Sequence, residues 1–536
     1  MNKKKVAVIG AGIAGLVTIK SCLEEGMEVI AFEKSDSIGG NWKFKEDEVS
    51  VFRNTELSSS RYITGFSDFP ISDRYPHFLK HPQYLEYLLD YARHFHLKEH
   101  IKFEVTVDSL KRQGDKWLLS ATQAGVDREY EFDAVAVCTG LNEKPNLPKF
   151  PNIEQFEGEI VHSSLYKDNT PYKDKSVVVI GGGESGGDQV NEISQVAKSV
   201  TLSLRRGVFI MPKLDSDRMT LPGDYFHHRG TYHLPPVLYE RIEAAIQRLF
   251  TFINRHKKAW QIRQKLIQLS GGSYHQQFIT KSDTFMQALA KPNVSLKPTL
   301  ERFEPDGIVF ADGSKVKADA VVFSSGFNVY FPFLPIESKN WDWRKLYKKM
   351  FHPELENVGF VGFARPNIGS MPPIMEMQSR YFAGVVSGRL QLPEPTQMQA
   401  IIAKDAKNSR KYKPLVCDRI TGIVSYVPYM YELADSIGCR PVLSQLISRP
   451  IVLWSVLFGS VAAPHFRICG THANPAMLDV IEREGLQVWK LKTADEKLLF
   501  TMFQIVWGLG GLIGYPLFKT LSYFPGFKSL KPRLDF

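Results

Sequence analysis

Residues Lys5 to Trp42 constrain the fold more than any other part of the chain. Val6-Ala7-Val8-Ile9 is a continuous apolar run, the pattern of a strand buried on both faces of a parallel sheet. Gly10-Ala11-Gly12-Ile13-Ala14-Gly15 follows at once, and Leu16, Ile19 and Leu23 then recur at helical spacing. A second strand, Val29-Ile30-Ala31-Phe32, runs into Glu33. This is a βαβ unit of dinucleotide-binding type. Gly10 permits the tight turn, Gly12 lets backbone approach a pyrophosphate, and Gly15 lets helix and strand pack closely. The helix start offers free N–H donors to phosphate, and Glu33 stands where a carboxylate can accept from a ribose diol. Gly39-Gly40-Asn41-Trp42 adds a glycine turn and an aromatic wall suited to a flat ligand, though alone it is an ordinary loop.

The pattern occurs a second time. Val177-Val178-Val179-Ile180 is the strand, Gly181-Gly182-Gly183-Glu184-Ser185-Gly186 the loop, and Asp188 to Ala197 the expected helix. The position that lies as far beyond Gly186 as Glu33 lies beyond Gly15 is Leu204, followed by Arg205-Arg206. A carboxylate would repel a ribose 2′-phosphate, whereas guanidinium forks bind it. NADP(H) is therefore the expected second nucleotide, although two arginines can also simply solvate a strand end. FAD at the first loop and NADPH at the second make hydride transfer to a flavin the natural chemistry.

Between the loops, a helix is expected from about Gln83 to Tyr91, then a small β-meander near Ile101–Val105, Trp117–Ala121 and Glu129–Phe132. Pro145 to Pro151 marks a boundary. The expected architecture is α/β, with two Rossmann-like domains and the NADPH domain inserted into the FAD domain. Residues 1–155 form the first part of the FAD domain. Residues 156–326 form the NADPH domain, with a largely helical insertion at about 207–300. Residues 327–449 return to the FAD domain, and 450–536 form an apolar C-terminal region. Gln378, in a helix opened by Glu376-Met377, is placed to present its side chain to the isoalloxazine edge, an ordinary helix surface being the plain alternative.

Composition narrows the function. The net charge of +10 is mild for this length and fits anionic cofactors or an acidic membrane surface rather than nucleic acid. Five scattered cysteines form no CxxC and no metal-ligand spacing, so no metal is expected and dithiol chemistry beside the flavin is disfavoured. His227 and His228 read as solvated loop residues. Residues 498–518 carry no charge and are flanked by Lys492, Lys497 and Lys519, a length that spans a bilayer. Membrane association with the catalytic domains facing the cytoplasm is the expectation, at the endoplasmic reticulum in a eukaryotic host. A buried C-terminal helix is the alternative. The apolar run 450–464 is shorter and reads as core or interfacial.

Phe156-Glu157-Gly158-Glu159-Ile160-Val161-His162-Ser163-Ser164-Leu165-Tyr166 fits FxGxxxHxxxY and lies between the two glycine loops. In this the chain resembles the flavin-containing monooxygenases, vertebrate-type and membrane-associated. Ser324-Ser325-Gly326-Phe327, Gly39 to Trp42, Phe66 to Pro70 and Glu376 to Tyr381 also look like segments of that family. The resemblance implies an FAD- and NADPH-dependent monooxygenase of N,N-dimethylaniline type. NADPH reduces FAD, O₂ adds at flavin C4a, and the hydroperoxide is attacked by a soft nitrogen or sulfur nucleophile. The implied partners are a small lipophilic amine or sulfide, O₂ and membrane lipid. A homodimer is left open and no nucleic acid is expected.

One position departs from the family pattern. Where its active-site Asn stands, a fixed distance before Phe66, this chain has Ser58, and the nearest Asn is Asn54. Either Asn54 reaches the flavin or Ser58 takes over the hydrogen bond, with more NADPH then lost as hydrogen peroxide. Three rivals follow. Baeyer–Villiger oxygenation of ketones is disfavoured because the related motif there carries Trp where Tyr166 stands. The others are an NADPH oxidase and an NADP(H)-binding module without turnover. His162 is expected to pack at the domain hinge rather than to transfer protons.

Overall fold

The computed structural model describes residues 3–211, 255–271, 279–336, 341–412 and 420–487, with scattered positions between 213 and 252 and at 491, 519, 520 and 523. In chain order the elements begin with β1 (Lys5–Ile9), α1 (Ile13–Glu24) and β2 (Glu28–Phe32). A short helix α2 (Arg61–Thr64) and a longer α3 (His81–His94) lead to β3 (Ile101–Lys102). The antiparallel strands β4 (Val105–Gln113), β5 (Lys116–Gln123) and β6 (Val126–Phe132) form a meander before β7 (Ala134–Val137). Then come β8 (Glu159–His162), β9 (Ser176–Ile180), α4 (Glu184–Ile193), β10 (Ser199–Ser203) and β11 (Phe209–Met211). They are followed by α5 (Lys258–Ser270), β12 (Ile279–Lys281), α6 (Thr284–Leu289) and β13 (Val294–Lys297). A second meander, β14 (Leu300–Glu304), β15 (Gly307–Phe310) and β16 (Lys315–Lys317), precedes β17 (Ala320–Phe323). The last elements among the described residues are β18 (Val358–Phe360), α7 (Met371–Val386), α8 (Pro395–Tyr412), α9 (Tyr426–Ile437), α10 (Pro450–Phe458) and α11 (Met477–Leu486).

Two parallel sheets organise these elements. The first runs β18-β7-β1-β2-β3 and the second β13-β10-β9-β17-β8. Both bury their central strands on both faces, which is why Val6 to Val8 and Val177 to Val179 are apolar at every position and almost fully inaccessible. In β4, by contrast, buried Val105 and Val107 alternate with exposed Thr106 and Asp108, since one face of the meander meets solvent. The chain leaves the first sheet after β7, builds the second, and pairs with β7 again through β18.

Helix α1 is buried along most of its length because α7 covers the side turned away from β1. Helix α3 is longer than the Gln83–Tyr91 periodicity indicated: it starts two residues earlier, with Pro82 in its first turn, where a missing N–H costs nothing. Helix α4 starts at Glu184 rather than Asp188, because the third glycine of its loop, Gly186, already lies inside the first turn.

The run 450–464 becomes α10 and the turn after it, with Val452 and Val456 buried against Ile481 of α11. Among the described residues no helix is long and apolar enough to cross a membrane. The uncharged run 498–518, His227, His228 and most of residues 212–254 lie outside the described residues, while the described part of the 207–300 insertion, expected to be largely helical, holds the strands β11, β12 and β13 as well as the helices α5 and α6.

Candidate functional site

The first nucleotide loop is assembled from backbone. Gly10 has φ +104°, and a Cβ there would meet the Cys138 carbonyl oxygen at 2.7 Å. A Cβ on Gly15 would lie 2.0 Å from the Gly10 oxygen, so both positions exclude any side chain. Gly12 caps α1 without a side-chain hydrogen bond, leaving the first-turn N–H groups for a phosphate. Gly40 packs its backbone on Gly12, an added Cβ standing 3.2 Å from the Gly12 Cα, and Trp42 packs edge-on against Tyr84.

Glu33 is buried at the end of β2. Its Oε2 accepts Ala11 N at 2.7 Å, and its Oε1 accepts Ser35 N at 2.9 Å and Ser35 Oγ at 2.5 Å. Of roughly four lone-pair sites on a carboxylate, one on Oε2 is left to accept from a ribose diol. The residues therefore fit an adenine dinucleotide such as FAD.

The second loop repeats the geometry. A Cβ on Gly186 would meet the Gly181 oxygen at 2.0 Å, while one on Gly183 would meet nothing within 4 Å, so the approach to the α4 N-terminus is open. Gly183, too, caps its helix without a side chain. Arg205 is exposed and Arg206 half-buried just beyond β10, where they can hold a 2′-phosphate. Thr280 on β12 donates to the Gly182 oxygen at 2.9 Å and fixes the turn.

The FxGxxxHxxxY segment enters the second sheet as β8. The Phe156 ring packs on Phe303. His162 Nε2 bonds the Gly326 oxygen at 3.0 Å and Nδ1 bonds Ser164 Oγ at 2.9 Å, while burial pushes the imidazole below its ordinary range and keeps it neutral. Tyr166 donates to Glu192 on α4 at 2.7 Å. Asn54 lies on an exposed turn, closed by Thr55 N to the Phe52 oxygen at 3.0 Å, and its side chain bonds the same Glu192. Asn54 is thus drawn to the α4 side of the structure.

Ser58 is half-buried between Leu57, whose N–H donates to the Leu79 oxygen at 2.9 Å, and Ser59, whose hydroxyl pairs with Ser370 at 3.0 Å. Gln378 does not lie on an ordinary helix surface. It is fully buried, its Oε1 accepting Gly362 N at 3.0 Å and its Nε2 donating to Tyr429 at 2.8 Å. Both ends of the carboxamide are held by protein because α7 is buried nearly all round. Gln378 thereby fixes Gly362, which packs on Ala14 in the first turn of α1.

Two lysines that sequence reasoning missed bridge the sheets. Lys213 donates to Glu56 at 2.7 Å and to the Leu57 oxygen at 3.0 Å, while Lys281, at the end of β12, donates to the Gly369 oxygen at 3.3 Å. They hold the chain just before Ser58 and just before Ser370. Burial pulls Lys281 below the ordinary lysine range, opposed by Glu184 and Asp224. The only sequence signal was a single charge ending each of two apolar runs, Phe209 to Met211 and Phe278 to Thr280. Asp224, equally unforeseen, is buried and accepts Ser60 N at 2.7 Å.

Comparison with known proteins agrees with this geometry. A family model described as flavin-binding monooxygenase-like matches residues 3–507. The chain is 35% identical to flavin-containing monooxygenase 5 of Homo sapiens, over 94% of this chain and 99% of that one. It is 34% identical to 4-hydroxybenzoate brominase (decarboxylating) of Pseudoalteromonas luteoviolacea, over 88% and 90%. The fold is similar to that of S-allyl-L-cysteine S-oxygenase from Allium sativum, with TM-score 0.61 at 24% identity, covering 90% of this chain and 98% of the other. The chain belongs to the flavin-binding monooxygenase-like family, whose members are FAD-dependent oxidoreductases that use NADPH.

Proposed function

We propose that this flavoprotein monooxygenase oxygenates soft nitrogen or sulfur nucleophiles in small lipophilic substrates. The observation that carries the reading is the pairing of two open, glycine-walled helix N-termini with opposite ribose ends, Glu33 at one and Arg205-Arg206 at the other. Bound FAD, reduced by NADPH, supplies the electrons that activate O₂. The chain's own residues then bind, orient and exclude water. Glu33 accepts from the FAD ribose, Gly12 and Gly40 admit the pyrophosphate, and Arg205 and Arg206 hold the 2′-phosphate of NADPH. Lys213 and Lys281 keep the Ser58 loop against the nucleotide loops. With Asn54 committed to Glu192, Ser58 is the residue we assign to hydrogen bonding beside the flavin.

A second reading rests on the likeness to the brominase. Bromide is also a soft nucleophile, and the same chemistry directed at it would halogenate an electron-rich phenol. Parallel incubation with a thioether, a tertiary amine, a cyclic ketone, and bromide plus 4-hydroxybenzoate separates these outcomes. Sulfoxide or N-oxide formed in step with NADPH consumption is the expected result. Lactone, a brominated phenol, or hydrogen peroxide alone would each replace it with a different assignment. We also propose that residues 498–518 attach the enzyme to a membrane, a reading supported by sequence alone. Deleting everything after Lys497 should then release the protein from the membrane fraction.

A further inference from the structure

The two nucleotide loops differ in charge at one position. Gly10-Ala11-Gly12-Ile13-Ala14-Gly15 places Ile13 at the start of α1, whereas Gly181-Gly182-Gly183-Glu184-Ser185-Gly186 places Glu184 at the start of α4. An acid in the first turn stabilises its own helix. It also sets a negative charge where the pyrophosphate of NADPH is to bind. A loop shaped for an anion thus carries one of its own.

Two cations from opposite sides of the site face that charge. Lys281 is fixed beside the loop, because Thr280 next to it donates to the Gly182 oxygen at 2.9 Å. Its ammonium reaches toward the FAD domain and donates to the Gly369 oxygen at 3.3 Å. Arg365 comes from that domain, where its N–H donates to the Gly422 oxygen at 2.9 Å. Burial pulls both cations below their ordinary ranges, and at each the Glu184 carboxylate is the leading charge that opposes it. Asp224 assists at Lys281, although one of its oxygens already accepts Ser60 N at 2.7 Å, while Lys213 and Arg365 act in the other direction.

Buried cations need a counter-charge. Phosphates at the α4 N-terminus supply the same charge at the same end of the helix. Glu184 and the pyrophosphate therefore compete for Lys281 and Arg365 and repel each other directly.

We propose that Glu184 is an internal competitor of the nucleotide: it balances Lys281 and Arg365 before NADPH binds, yields them to the pyrophosphate afterwards, and so limits how tightly the nucleotide is held. This rests on the placement of NADPH at the second loop. Lys281 is a positioning residue, since the ammonium that faces the phosphates also holds Gly369, just before Ser370. A full charge within one helical turn of the phosphates, screened as near a protein surface, changes affinity roughly five- to thirtyfold. The sign is what distinguishes this role. Removing an acid that merely supported the site would weaken binding, whereas removing a competitor strengthens it.

The test is calorimetric titration of FAD-loaded enzyme with NADP⁺. Glu184→Gln, which keeps the shape and loses the charge, should bind NADP⁺ more tightly by that factor. Lys281→Met should bind it more weakly. The double variant should return toward wild type, because the carboxylate that Lys281 balanced has gone. Glu184→Gln alone decides the question if Lys281→Met folds poorly. Adenosine 2′-monophosphate carries the phosphate meant for Arg205 and Arg206 but no pyrophosphate, so it should bind wild type and Glu184→Gln equally. Unchanged or weaker NADP⁺ binding in Glu184→Gln, a double variant as weak as Lys281→Met, or an equal gain for adenosine 2′-monophosphate would each overturn the proposal and leave the nucleotide at the second loop. Failure of adenosine 2′-monophosphate to compete with NADP⁺ in wild type would overturn that placement as well.

Discussion

Tyr166 and Glu192 are joined by a 2.7 Å hydrogen bond between the family-defining segment and the helix that starts at the second nucleotide loop. Burial raises the Glu192 carboxyl, and the donors Tyr166 and Asn54 pull it back. Removing either donor leaves a buried carboxylate short of a partner, at a cost of about 1–3 kcal/mol. Tyr166→Phe and Asn54→Ala should each lower the melting temperature and weaken NADP⁺ binding. Because they share one acceptor, the double variant should cost less or more than their sum, and a double-mutant cycle measures that coupling.

The same geometry separates Asn54 from Ser58. Ser58→Ala should raise the hydrogen peroxide formed per NADPH, whereas Asn54→Ala should leave that ratio unchanged while altering NADP⁺ affinity. Coupled peroxide and NADPH assays read both numbers. A rise in peroxide with Asn54→Ala alone would return the flavin contact to Asn54.

Both glycine loops were legible in the sequence because their constraint is local. Gly10, Gly15, Gly181 and Gly186 are needed wherever a strand turns into a helix this tightly, whatever surrounds them. The charge difference between Glu33 and Arg205-Arg206 was legible for the same reason. The partners of Gln378 were not: position on a helix cannot reveal that Gly362 and Tyr429 close around it. The partner of Asn54 was hidden in the same way, since its acceptor Glu192 lies on another domain. Lys213 and Lys281 act on main-chain oxygens, which leave no mark in a sequence.

Nucleotide choice gives a direct test of the second loop. Arg205→Ala with Arg206→Ala removes the cations placed for a 2′-phosphate. Hydrogen bonds to charged groups contribute about 1.5–3 kcal/mol each, so NADPH affinity should fall roughly ten- to a hundredfold per effective contact. NADH, which lacks that phosphate, should bind about as before. Steady-state KM values for the two nucleotides measure the change in preference, and equal losses for both would remove the arginines from the phosphate site.

Asp188 on α4 predicts a pH effect of definite sign. Burial, with Glu184, Glu192 and Glu56 nearby, pushes its carboxyl up to about 7 against the opposing Lys213 charge. An aspartate in the unfolded chain ionises near 3.9, so between about 4 and about 7 the folded protein holds a proton that the unfolded chain has lost. This group therefore lowers stability progressively as pH rises through that window, with no further loss above it. Asp188→Asn should raise the melting temperature at pH 8 relative to wild type and leave the two alike at pH 4. Parallel melting curves from pH 4 to 8.5 check it, and a constant offset across that range would reject the assignment.

Arg467 allows the strongest prediction about what holds the first nucleotide loop in place. It is 1% exposed, and its Nη2 lies 2.6 Å from Asp68, 3.3 Å from Glu24 and 3.8 Å from Glu376. Lys20 pairs with the same Asp68 and lies 2.7 Å from Glu24, so α1 is tied through its own lysine to the turn following α10. Burial alone would raise Asp68, but Arg467 and Lys20 outweigh it and hold the carboxyl below its ordinary range. Glu376, raised by burial and by the Asp68 charge, accepts from Ser67 instead. Truncating one partner of such a buried group typically costs about 3–5 kcal/mol, because the other charges remain without it. Arg467→Ala should therefore melt at lower temperature and purify with less FAD, since α1, tied to Arg467 through Glu24 and Asp68, carries the FAD loop at its other end. Arg467→Lys keeps the charge but loses the planar fork, and should fall between the two. Excess FAD should recover part of the lost melting temperature in both variants, because a ligand bound only by the folded state stabilises it in proportion to its concentration. Full flavin content and an unchanged melting temperature in Arg467→Ala would show that the network is not what anchors α1.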